Sequence, residues 1–103
     1  MKLSVIIPVF NERETLPLVL REVQAVPIKK EIIIVDDFST DGTREFLKSI
    51  NDNSIKIFFH EKNMGKGAAV RTAQPHITGD VVIIQDAVSN HLKCNPERYR
   101  QII

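Results

Sequence analysis

The segment "EIIIVDD" (31–37) constrains the fold more than any other. Ile32, Ile33, Ile34 and Val35 are β-branched residues in an unbroken row, and such residues favour strands. A strand apolar on consecutive positions has no wet face, so it must be covered on both sides. That is the condition of a strand in a parallel sheet whose crossovers lay helices over it.

Other segments repeat the signature. "KLSVIIPVF" (2–10), "SIKIFFH" (54–60) and "GDVVIIQDA" (79–87) read as further strands. Between them lie helical patterns. In "ETLPLVLREVQAV" (14–26), Leu16, Val19, Leu20 and Val23 recur on one face. Pro17 fits only the first turn of a helix, so Thr15 is the expected cap and 11–14 is loop. "TDGTREFLKSI" (40–50) predicts a second helix capped near Asp41, and "MGKGAAVRTAQ" (64–74) a Gly-led third. "NPERYRQII" (95–103) reads as the start of a fourth, with Pro96 near its N-terminus.

Strand and helix thus alternate through the chain. The expected fold is α/β, Rossmann-like, with a mostly parallel four-stranded sheet and helices on both faces. At 103 residues a single domain, 1–103, is expected.

Composition excludes several classes. The net charge is +1, from 14 basic and 13 acidic residues, so nothing argues for a nucleic-acid partner. No apolar run approaches the roughly 20 residues of a membrane span. No signal peptide is evident, and the single Cys94 has no internal disulfide partner. A cytoplasmic chain is therefore expected, with Cys94 a bystander. His60, His76 and His91 show no metal-ligand spacing and read as surface residues.

Ligands of open α/β sheets bind outside the carboxyl ends of the strands. The strand-end loops here are "PVFNERE", "DDFSTDG", "HEKNMGKG" and "QDAVSN". Asp36 and Asp37 stand where an acid accepts hydrogen bonds from a ribose or a base; the plainer reading is one helix cap and one solvated acid. Gly65 and Gly67 let backbone approach a ligand at a helix N-terminus, and Lys66 adds a charge suited to phosphate. Arg71, four residues beyond Gly67, falls on the same helix face; alone it would read as a solvated side chain. The segment is neither a Walker A loop nor a Gly-rich dinucleotide fingerprint. Asp86 sits where a metal ligand or a sugar-binding acid belongs, although one carboxylate is a poor Mg²⁺ or Mn²⁺ site.

Taken together, "LSVIIPVFNERETLP", "IIIVDDFSTDGT", "NMGKGAAVRTA" and "GDVVIIQDA" resemble the N-terminal half of family 2 glycosyltransferases of the GT-A fold. The group most resembled transfers sugars to dolichol or polyprenyl phosphate. The resemblance implies a UDP- or GDP-sugar donor and, as acceptor, a lipid phosphate at the cytoplasmic face of a membrane. It implies that Pro8, Phe10, Asn11 and Glu12 contact base or ribose, that Asp37 binds the base, and that Lys66, Gly67 and Arg71 line the nucleotide site. Asp86 would open the D-x-D motif that holds Mg²⁺ or Mn²⁺ against the diphosphate. Val88 stands where the second acid belongs, which weakens the metal expectation. The family's catalytic base lies in the half that follows, so no residue here matches it; the chain then supplies a donor-binding part.

Two rivals remain at this level. A phosphoacceptor receiver domain would place its acid pair after the first strand and an Asp after the third, where this chain has "FFHEKN". A non-catalytic binding or assembly module would keep the fold without the chemistry. A half-sheet with an open edge also favours self-association into a homo-oligomer.

Overall fold

A computed structural model describes residues 1–87. Strand β1 (Leu3–Val9) leads to helix α1 (Leu16–Ala25), β2 (Lys30–Asp36), α2 (Thr43–Lys48), β3 (Ile55–Phe59), α3 (Lys66–Ala73) and β4 (Val81–Ile84). A short 3-10 turn, Gln74–His76, ends α3. All strand pairs are parallel, in the order β3-β2-β1-β4. The expected helix at 95–103, His91, Cys94 and Val88 lie outside the described residues.

The unbroken apolar rows divide between two faces. Leu3, Val5, Ile7, Ile32 and Ile34 face α1 and α2, packing on Leu16, Val19, Leu20, Val23 and Leu47. Ile6, Ile33 and Val35 face α3, packing on Ala69 and Ala73. Each fully buried large side chain contributes about 2 kcal/mol. Alanines at the α3 contact, both 0% exposed, bring the helix backbone close to the sheet.

Helices run shorter than the patterns suggest. In α1, Pro17 occupies the first turn as expected, yet Thr15 makes no side-chain cap. Its hydroxyl instead donates to the Ala87 carbonyl at 2.6 Å. In α2 the helix starts at Thr43 with Gly42 at φ +99° before it, and Asp41 Oδ1 accepts from the Thr43 amide at the helix start, near where the cap was expected.

Pro8 decides where the sheet opens. It pairs with Val35 on the β2 side of β1, but the β4 ladder stops at Ile6 and Ile84. The Gln85 amide donates to the Ile6 carbonyl at 2.8 Å. Two residues on, the backbone nitrogen facing β4 belongs to Pro8 and has no hydrogen to give. The ladder cannot continue, and β1 and β4 part at their carboxyl ends. This is also where strand order reverses, the usual place for a ligand crevice in such sheets.

Candidate nucleotide site at the strand ends

The loop after β1 turns sharply. Phe10 is 44% exposed, and Asn11 has φ +51°, a conformation that Asn tolerates better than most residues. Asn11 ties this loop to the next: its amide donates to Ser39 Oγ at 2.8 Å, and its Oδ1 accepts from the Thr40 amide at 2.7 Å. Arg13 repeats the link through its amide and Asp41 Oδ2. Glu12 stays half-buried beside Thr15. Burial first, then the neighbouring Asp41 and Asp86 charges, push its carboxyl above the ordinary range against the Thr15 hydrogen bond. Pro8, Phe10, Asn11 and Glu12 thus all stand at the carboxyl end of β1.

The acid pair after β2 splits into two tasks. Asp36 is 0% exposed, with Oδ2 accepting from the Ser39 amide and from Arg44 Nε at 2.7 Å. The Arg44 guanidinium also donates to the His60 carbonyl and lies against the rings of Phe38 and Phe59. Phe38 itself has φ +67°, a strained conformation for an aromatic residue. Asp37 points the other way. Its Oδ1 accepts from the Met64 amide at 2.7 Å and from His60 Nδ1 at 3.0 Å, and its Oδ2 accepts from the Gly65 amide at 2.8 Å. Burial alone would raise the Asp37 pKa; the His60, Met64 and Gly65 hydrogen bonds outweigh it and hold the carboxyl below its usual value.

His60 is therefore not a surface residue. It is 7% exposed and wedged between Asp37 and Thr72 Oγ1, 2.8 Å from Nε2. A histidine with no metal spacing reads as solvent-facing in sequence, but its place directly after β3 matches that of the acids after β2. His76 is half-buried, its ring stacked on Phe58 at 4.2 Å.

Gly65 at φ +93° turns the chain into α3, a conformation that needs glycine. Lys66 opens the helix, and its Nζ reaches Asp86 Oδ1 at 2.6 Å across the crevice. Arg71 folds back toward Gly67: its Nη1 lies 3.4 Å from where a Cβ on Gly67 would stand. Lys66 and Gly67 are thus exposed in the first turn of α3, and Arg71, exposed in its last turn, reaches back toward Gly67.

A divalent cation fits less well. No group of three or more His, Cys, Asp or Glu poised for a metal occurs among the described residues. Asp86 is paired with the Lys66 ammonium, and Glu12 is near enough to feel its charge. The described residues do not form a divalent-metal site on their own.

Comparison with known proteins identifies the family and the fold. The family model described as "Glycosyl transferase family 2" matches residues 4–103. Undecaprenyl-phosphate 4-deoxy-4-formamido-L-arabinose transferase of Salmonella paratyphi A is 36% identical over 93 residues, covering 84% of this chain and 28% of its own length. The crystal structure of S. aureus TarS 1-349 superposes with a TM-score of 0.82 at 26% identity, covering 99% of this chain and 31% of TarS. Mannosyltransferase PcManGT from Pyrobaculum calidifontis, solved with GDP-Man and Mn2+, gives a TM-score of 0.73 at 32% identity over 82% of this chain and 27% of its own. The chain spans less than a third of the length of these relatives.

Proposed function

The chain belongs to glycosyl transferase family 2, and from that premise we propose that it forms the donor-binding part of a transferase that moves a sugar from a UDP- or GDP-linked donor to a polyprenyl phosphate. The observation that carries this reading is the meeting of Lys66 and Asp86 at 2.6 Å where β1 and β4 part. A crevice with a cation on a helix N-terminus beside an acid suits a diphosphate next to a sugar hydroxyl.

In this reading the nucleoside rests against the loops after β1 and β2, which Asn11 ties together. Phe10 is exposed there as a stacking surface. The diphosphate lies toward Lys66 and Arg71, where the first turn of α3 adds its positive dipole end. As the bond to the sugar breaks, charge grows on the departing diphosphate, and these cations stabilise it. Asp86 holds the sugar side and keeps Lys66 aimed into the crevice. A phosphate monoester is largely ionised at neutral pH, its second pKa being about 6, so this acceptor needs little help from a general base.

The polyprenyl phosphate is suggested by the Salmonella relative, an undecaprenyl-phosphate sugar transferase. GDP as the nucleotide is suggested by the PcManGT complex; UDP remains the other candidate. No helix among the described residues is long and apolar enough to cross a membrane. The test is ligand-observed NMR with UDP, GDP and CDP at equal concentration. Saturation transfer to UDP or GDP, and weaker transfer to CDP, is expected. No transfer to any of them refutes the reading.

A further inference from the structure

His60 carries a role that the nucleotide reading leaves open. It is the one buried side chain in the loop between β3 and α3 and touches three separate elements. Its amide donates to the Asp36 carbonyl at 2.8 Å, and its own carbonyl accepts from Arg44. Its ring lies between Asp37 and Thr72 of α3.

A carboxylate only accepts, so Nδ1 carries the hydrogen donated to Asp37. Nε2 pairs with the Thr72 hydroxyl at 2.8 Å. Asp37, oriented from one side by the ring, holds the Met64 and Gly65 amides from the other. Those two residues set the direction in which α3 leaves the loop, with Gly65 at φ +93° and ψ 164°. The chain His60, Asp37, Gly65 therefore ends at Lys66, whose ammonium reaches Asp86.

We propose that His60 is a positioning residue: it fixes Asp37, and through Asp37 the entry turn of α3, so that Lys66 and the helix N-terminus are aimed at the diphosphate before it binds. The proposal rests on the nucleotide reading for its binding consequence but not for its structural one. His60 touches no ligand in this account. It keeps the anion site ordered in advance, which lowers the cost of binding.

The test compares His60→Asn, His60→Gln and His60→Leu in the whole chain. An Asn amide sits near the place of Nδ1 and still donates to Asp37; a Gln amide reaches the place of Nε2 and serves Thr72 instead. Amide hydrogen exchange at Met64 and Gly65 is read without nucleotide, alongside UDP and GDP affinity and the thermal midpoint. His60→Asn is expected to keep both amides protected and to bind the diphosphate within about threefold of the parent. His60→Gln and His60→Leu are expected to speed exchange at both amides and weaken diphosphate binding by about tenfold, the size of one hydrogen bond to a charged group.

Thr72→Val is the second line, since it loosens the ring without altering its volume. It is expected to speed exchange at the same two amides, less than His60→Leu does. Equal exchange in all variants overturns the proposal. So does exchange that rises throughout the chain in step with the thermal midpoint, with Asn no better than Gln. If the parent chain binds neither UDP nor GDP, the nucleotide reading fails, and the exchange comparison still decides the role of His60.

Discussion

Lys66 Nζ and Asp86 Oδ1 stand 2.6 Å apart, joining the first residue of α3 to the segment just past β4. Both side chains keep substantial exposure, 57% and 40%. An ion pair this open adds little to stability, about 0.5 kcal/mol or less. Lys66→Ala should therefore leave the urea midpoint nearly unchanged. Its affinity for a nucleoside diphosphate should fall about tenfold, as expected for one lost charge-assisted contact. Parallel denaturation and titration curves check the two halves of this statement.

Arg44 presents the opposite case. It reaches a carboxylate, Asp36, that is 0% exposed. Asp36 Oδ1 has no hydrogen-bond partner among the described residues, so Arg44 and the Ser39 amide carry its charge. Arg44→Met should cost about 3 kcal/mol, because it strands a buried charge. Adding Asp36→Asn should recover part of the loss. Urea unfolding of the single and double variants checks this.

Much of this arrangement was legible in the chain, and the reasons for the rest are physical. The β-branched row 32–35 could only be a covered parallel strand, and it is one. Val19 and Val23 showed the buried face of α1 through their spacing. The roles of Asp36 and Asp37 could not be separated, because adjacent strand residues point to opposite sides and only the neighbouring loops show which side holds which partner. Thr15 looks like a cap from α1 alone; its bond to Ala87 depends on a segment 72 residues away. His60 was misread because burial of a polar ring depends on Asp37 and Thr72, neither adjacent in sequence.

Glu31 makes stability depend on acid. It is buried, and burial alone would raise its pKa. Hydrogen bonds from Ser4, Thr78 and Lys56 outweigh that and bring it down to about 2 from an ordinary 4.5. The folded value lies below the unfolded one, so the stabilisation is complete above pH 4.5 and drains away as pH falls toward 2. At 1.36 kcal/mol per unit this is on the order of 3 kcal/mol. Unfolding midpoints measured across that window should drop more steeply for the parent than for Glu31→Gln.

Gly79 is a packing constraint rather than a turn. A Cβ there would stand 2.8 Å from the Ser4 amide nitrogen and 2.9 Å from the Lys2 carbonyl. Backbone atoms cannot step aside cheaply, so Gly79→Ala should cost about 2 kcal/mol through overpacking where β4 joins β1. Thermal unfolding checks it. The loss should be larger than for Gly67→Ala, whose nearest neighbour is the mobile end of Arg71.

The most direct test of the donor site is calorimetric titration with the nucleoside, the monophosphate and the diphosphate of uridine and of guanosine, each with and without Mn²⁺. The account predicts one base preferred over the other. It also predicts affinity rising from nucleoside to diphosphate, a rise that survives without metal and shrinks about tenfold in Lys66→Ala. Equal affinity along the phosphate series, or a rise that Lys66→Ala leaves intact, would contradict it.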